Sequence, residues 1–346
     1  MRRSMETPCW FRQSCRRWPV GLLAIGAFAQ LHFSVSAACA ADQTAGPTVT
    51  AGQWLAQGDR FGKVYNHSRP AAAGPSQTQE ESPWSVDSEH IFGFTEGTDI
   101  GDRGDVEAEV DSIGRFGKRS GSYAATTTAF ELKYTATDNF RIAPSLDVST
   151  HNISNVPGLE DRKQLALQGA GVDLRYQVLN RTKAPFGLTF VVAPHLGRID
   201  EGSGERVSQF SVETAALLDK DLVPDRLFGA LNFIYEPEWT RSRETGMTER
   251  TSTVGLGAAL TAQLFAGFLV GGEIRYMRKY EGVGLNTFAG DAVFVGPNVY
   301  VKLAKNANMS VAWNVQVAGG AADEPGRLDL TNFERHEVRF RVGVDF

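Results

Sequence analysis

At 346 residues the chain has the length of two soluble domains or of one large β-barrel. Charged residues make up a moderate 22% and glycine is abundant, which excludes a coiled coil, a collagen-like chain and a wholly disordered one. The formal charge of −5 excludes the basic footprint of a nucleic-acid-binding protein.

Residues 1–40 read as an export signal. Arg2, Arg3, Arg12, Arg16 and Arg17 precede the apolar run "PVGLLAIGAFAQLHFSVSA", and Ala38-Cys39-Ala40 supplies small residues for cleavage near Ala40. Removing this segment takes away five arginines and one glutamate and moves the charge from −5 to about −9. Cys9, Cys15 and Cys39 all lie inside it, so the exported chain is expected to hold no thiol, no disulfide and no cysteine-ligated metal. Residues 41–87 are rich in Pro, Ala, Gly, Ser and Gln ("SRPAAAGPSQTQEESP") without apolar periodicity, and read as a flexible periplasmic leader.

Residues 88–346 have a different texture. Alternating runs near 104–113, 122–136, 139–151, 163–178, 185–197, 206–218, 226–238, 250–263, 267–279, 291–304, 308–318 and 335–346 predict about twelve strands. In "FELKYTA", Phe130, Leu132 and Tyr134 share one face, because side chains alternate across a strand. "VDLRYQV" sets Val172, Leu174, Tyr176 and Val178 against Asp173 and Arg175. Short connections ("TDN", "NRTKA", "FAG", "KNAN") take turns with longer ones, as the two rims of an outer-membrane barrel require. "GLGAALTAQLFAGFLVGG" is long enough for a membrane helix, but its glycines and central "FAG" predict a hairpin.

The second face of these strands is too charged for a β-sandwich surface. Glu131, Lys133, Arg141, Asp147, Asp173, Arg175, His195, Glu273, Arg275, Arg339 and Arg341 are the expected lining of a polar lumen, with the apolar band toward lipid. The expected fold is all-β, a single-chain antiparallel up-and-down transmembrane barrel. A twelve-stranded barrel has a Cα diameter of roughly 25 Å, wide enough for a small solute if nothing plugs it. No loop is long enough for an obvious folded plug, although the N-terminal leader could enter from the periplasmic side.

Other constellations carry little chemistry. His151 and Ser154 are three apart, which in a strand sends them to opposite faces and defeats general-base activation of the serine. No two histidines share a strand at metal-ligand spacing. "TDIGDRGDVEAE" is acid-rich before the first strand but does not match a calcium loop. Its Arg103-Gly104-Asp105 matches the tripeptide of integrin-binding adhesins, yet this topology puts it on the periplasmic side. Neither cofactor, metal nor enzymatic activity is expected.

Phe92-Gly93-Phe94, Glu96-Gly97, Gly104, Glu107, Gly117-Lys118, Gly121, Tyr123, Glu131, Tyr134 and Thr137-Asp138 carry a family likeness. Over about 90–150 the chain resembles an uncharacterised family of bacterial outer-membrane β-barrel proteins. Its texture is also loosely similar to the outer-membrane transporters of aromatic-degradation operons. The resemblance implies fold and a Gram-negative outer-membrane location; it supplies no substrate.

The expected function is therefore a porin-like passive channel or transporter for small solutes through a mixed-charge lumen. A non-conducting structural or interaction barrel is the alternative, and an outer-membrane hydrolase a remoter one. Expected partners are outer-membrane lipid, the barrel-assembly machinery and small solutes, with no nucleic acid. The last run, "EVRFRVGVDF", closes the barrel, and the terminal Phe346 resembles the signal by which such barrels are recognised for assembly.

Overall fold

The computed structural model describes residues 86–346; the expected signal segment and most of the expected leader lie outside the described residues. Twelve antiparallel strands follow one another: β1 Val106–Phe116, β2 Ser122–Thr137, β3 Phe140–Ser154, β4 Arg162–Leu179, β5 Gly187–Ile199, β6 Arg206–Val223, β7 Leu227–Ser242, β8 Thr248–Phe265, β9 Phe268–Glu281, β10 Thr287–Ala304, β11 Ala307–Ala321 and β12 His336–Asp345. Each pairs with its sequence neighbours, and β1 pairs with β12, so the sheet closes and no edge is left unpaired. In lipid this closure is obligatory, because an open edge would expose backbone groups with no water to satisfy them.

The closing seam runs from Phe116↔His336 to Glu107↔Asp345. Phe346 adds a final backbone hydrogen bond, its N–H donating to the carbonyl of Val106 at 2.9 Å. Outward positions are apolar and exposed, among them Phe130, Leu132, Tyr134, Tyr176, Trp313 and Phe340. Inward positions on the same strands are polar and buried, among them Lys133, Arg175, Ser310, Asn314, Gln316 and Arg341. The period of two is thus expressed as lipid face and lumen face.

One rim carries the connections 138–139, 180–186, 224–226, 266–267 and 305–306; the other carries 117–121, 155–161, 200–205, 243–247, 282–286 and 322–335. By the usual asymmetry of such barrels the first rim is periplasmic and the second extracellular. Several strands run beyond their expected ends. β6 reaches Val223, β7 and β8 keep pairing out to Arg241↔Thr248, and β9 and β10 out to Thr287↔Glu281. Alternation fades there because both faces meet water beyond the apolar band, while the hydrogen-bond ladder continues. The first strand starts later than expected, at Val106. Arg103-Gly104-Asp105 forms a periplasmic-side turn in which the Gly104 N–H donates to the Thr135 carbonyl at 2.8 Å. Glu107 and Glu109, read as an acidic stretch before the barrel, are lumen-facing residues of β1.

Candidate functional site: the plugged lumen

Residues 88–100 do not run beneath the barrel. They form a loop inside it, folded on itself. The Ser88 N–H donates to Asp99 Oδ2 at 2.9 Å, and Gly97 lies so close to Ser88 that a Cβ would stand 2.2 Å from the Ser88 carbonyl oxygen. Ser88, Glu89, His90, Ile91, Phe92, Thr95, Thr98 and Ile100 are all buried. No helix or strand forms, so the backbone polar groups of this loop must find their partners on the wall.

Nine of the twelve strands supply one. Glu273 on β9 accepts the N–H groups of Phe94 (2.9 Å) and Thr95 (2.7 Å). Asn232 on β7 accepts the Glu96 N–H at 2.6 Å and donates to the Glu96 carbonyl at 2.9 Å. The Ile91 carbonyl accepts from Asn298 on β10 (2.6 Å) and Thr261 on β8 (3.1 Å). The Thr98 carbonyl accepts from Gln177 on β4 (2.9 Å) and Thr189 on β5 (2.7 Å), and the Thr98 hydroxyl donates to Asp219 on β6 at 2.6 Å. Arg341 on β12 donates to the Gly93 carbonyl at 2.6 Å. Thr135 on β2 donates to the Ile100 carbonyl at 2.6 Å. β1 and β3 contribute through the charges described next, and β11 brings Ala312 against Gly93, where a Cβ would stand 2.9 Å from it.

Two carboxylates of the loop collect most of the lumen's basic side chains. Glu96 pairs with Arg175 (2.7 Å) and Arg339 (2.9 Å), with Arg341 at 3.8 Å. Burial alone would raise the pKa of Glu96; Arg175, Arg339 and Arg341 outweigh it and hold the group well below the usual carboxylate range. Glu89 pairs with Arg141 on β3 and with Lys133 at 3.0 Å. Its own burial is likewise outweighed, by Arg141 and Lys133 first. His90 stands 2.6 Å from Glu109 on β1 and 3.0 Å from Lys133. His90, Glu107 and Glu109 bring ligand atoms within 4.8 Å of one another, but the Lys133 ammonium, 2.9 Å from Glu109, is already the cation of that cluster. An apolar side completes the plug: Ile91 and Phe92 pack with Phe228, Ala230, Ala259, Leu269 and Tyr300 of the wall.

The sequence candidates all lie on the lumen side and divide into groups. Lys133, Arg141, Arg175, Glu273, Arg339 and Arg341 bind the plug directly. Arg275 stacks on the Phe94 ring, 4.0 Å from its centroid, and pairs with Glu337. Asp173 is engaged by Arg175 at 3.0 Å, and Asp147 pairs with His195 at 2.8 Å. Glu131 and His195 line a cavity of about 370 Å³ above the plug. A second cavity of about 880 Å³ shares Arg115, His195, Glu213, Glu236 and Glu337 with the first and reaches the rim at 155–161, 200–205 and 322–335. That last connection folds inward, with Phe333 edge-on to Phe294 and Lys118 bound to Glu334 at 2.9 Å. His151 is buried toward the lumen, 3.0 Å from the Glu201 carbonyl oxygen, with no bond to Ser154.

Glu89, His90, Glu96, Asp219 and Asn232 were not legible as site residues. The available signal was the run "FGFTEG" itself. Gly93 has φ +50° and room for no side chain, since a Cβ would stand 2.5 Å from Glu273 Oε1; Gly97 is closed off by Ser88. Of the residues that carry the family likeness, Phe92-Gly93-Phe94 and Glu96-Gly97 belong to this loop.

A closed twelve-stranded sheet with a lipid-facing apolar band defines an outer-membrane β-barrel, here one that holds its own N-terminal segment. The chain belongs to a family of unknown function, DUF6662, which matches residues 84–346 and so spans plug and wall together. No curated protein matches it in sequence. Among solved structures, the COG4313 outer membrane channel from Pseudomonas putida F1 is similar, with 12% identity, 76% of this chain and 100% of that one covered, and a TM-score of 0.50. The β domain of the Bordetella autotransporter BrkA follows with 14% identity, 71% and 100% coverage and a TM-score of 0.47. The NanC porin has 12% identity, 69% and 98% coverage and a TM-score of 0.42. At these identities the likeness is one of fold.

Proposed function

We propose that the protein is a passive outer-membrane route for small solutes, gated by its own plug. The supporting observation is the division of the lumen: a charged cavity of about 370 Å³ above the plug shares its lining with one of about 880 Å³ that reaches the extracellular rim, while residues 88–100 fill the periplasmic half. A solute enters from outside, rests above Glu96, and passes when the loop shifts. No enzymatic step belongs to this reading, because His151 and Ser154 share no face and no bond. Planar-bilayer recording of the intact protein tests it. Brief, infrequent openings are expected; no openings at any voltage would sink the channel.

The same plug favours a second reading, a non-conducting structural or interaction barrel, since hydrogen bonds, ion pairs and packing contacts from around the wall resist movement. A purified barrel labelled by an active-site serine probe would overturn both and reinstate a hydrolase.

A further inference from the structure

The outer face of the barrel is not the same all the way round at its extracellular end. On six consecutive strands, β4–β9, an outward position there is basic: Lys163, Arg198, Arg206, Arg241, Arg250 and Arg278. Alternation fixes their side, since in that order they share a face with Leu165, Leu196, Phe210, Phe233, Leu256 and Ile274, all exposed toward lipid. At the same end of β10–β12 and β1–β3 the outward strand positions hold no lysine or arginine, and Asp291 on β10 is acidic.

Four of these groups converge. Ser208 stands opposite Arg241 and Ile199 opposite Arg206, so Arg198, Arg206 and Arg241 surround Ser208 on the outer face. Arg250 is diagonal to Arg241, whose direct partner on β8 is Thr248. All four are exposed, and among the described residues none forms an ion pair, whereas Arg115, Arg181 and Arg275 do. The acids of this rim are engaged or turned away: Glu205 accepts from the Ser242 hydroxyl, and Glu238 and Glu249 occupy inward positions. Toward the apolar band Phe210 and Trp239 stack with centroids 5.8 Å apart, at the level of an aromatic girdle. Like charges gathered on one face of a sheet repel each other unless an anion lies among them.

We infer that this flank, centred on Arg198, Arg206, Arg241 and Arg250, binds the phosphorylated headgroup of an outer-leaflet lipid. The guanidinium groups take the phosphate oxygens as paired, charge-assisted hydrogen bonds, and the acyl chains lie against Leu196, Phe210 and Trp239. A freely diffusing phosphate would leave that apolar floor unused. The inference concerns the outer face and does not depend on the lumen being a solute path.

Native mass spectrometry of the full-length barrel in detergent at low salt, titrated with diphosphoryl lipid A, is the test. The same lipid stripped of both phosphates and inorganic phosphate are the comparison arms. Diphosphoryl lipid A is expected to bind at least about tenfold more tightly than the stripped lipid. The triple variant Arg198→Gln/Arg206→Gln/Arg241→Gln should lose at least about tenfold in affinity while keeping heat-modifiable mobility. Lys220→Gln/Arg226→Gln/Lys305→Gln, which removes three exposed charges at the periplasmic end, should change nothing. Lipid A that does not bind, binds equally without its phosphates, or is displaced by an equal concentration of inorganic phosphate would overturn the inference. So would affinity unchanged in the first triple variant, or lost equally in both. The phosphate comparison uses the unaltered protein, so it decides the matter even where a variant fails to assemble.

Discussion

The two halves of the lumen treat charge in opposite ways. In the periplasmic half Glu89 and Glu96 of the plug meet Lys133, Arg141, Arg175 and Arg339, each pair within hydrogen-bonding distance and shielded from water. In the outer half Glu213 faces Glu236 across one strand pair with no cation between. Removing a charge should therefore be costly in one half and harmless in the other. The difference separates groups that hold the protein's own segment from groups that line the outer cavities.

Both halves depend on a closed wall, so the largest effect belongs to the seam. Deleting Phe346 removes its bond to Val106 and the terminal aromatic residue, and most of the assembled, heat-modifiable barrel should be lost. Normal yield would show that the last residue is dispensable. Next comes Glu96→Gln. It leaves Arg175 with Asp173, Arg339 with Asp111 and Arg341 with no paired acid, and removes the charge the three share, which costs up to about 3–5 kcal/mol. Hydrogen exchange at Phe94, Thr95 and Thr98 should accelerate at least about a hundredfold, through local release of the loop. Unchanged protection would mean that the arginines do not hold the plug.

Gly97→Ala should act on the same readout more weakly. Its Cβ would collide with the Ser88 carbonyl and force the two arms of the loop apart, at about 1–3 kcal/mol. Glu213→Gln has the smallest effect and the opposite sign. Relieving a like-charge pair should leave exchange in the plug unchanged and stabilise the barrel by about 0.2–1 kcal/mol in a denaturant titration. A loss of stability as large as that of Glu96→Gln would erase the distinction between the halves.

The wall was legible because a period of two repeats on nearly every strand. Phe130, Leu132 and Tyr134 face lipid and Lys133 the lumen, and the closing run from Val338 to Phe346 pairs where it should. That the N-terminal leader could enter the lumen was legible; which of its residues form the plug, and what they bind, was not. Residues 86–105 have no period, and each of their partners is supplied by a distant strand, so nothing local marks Glu89 or Glu96 as buried. Glu213 was hidden for a different reason. On β6 both faces are apolar nearby, with Ala215 and Leu217 turned inward and Leu218 outward, so alternation does not say which way the glutamate points. Charge at mid-strand revealed the lining only where the opposite face was clearly apolar.

The central claim is that residues 88–100 close the periplasmic half of the lumen. Replacing residues 88–99 with a Gly/Ser linker of equal length keeps the chain connected and removes the side chains that bind the wall. In planar bilayers, with folding checked by heat-modifiable mobility, this variant should show large, long-lived openings where the intact protein should show at most brief ones. A folded variant with the conductance of the intact protein would contradict the account.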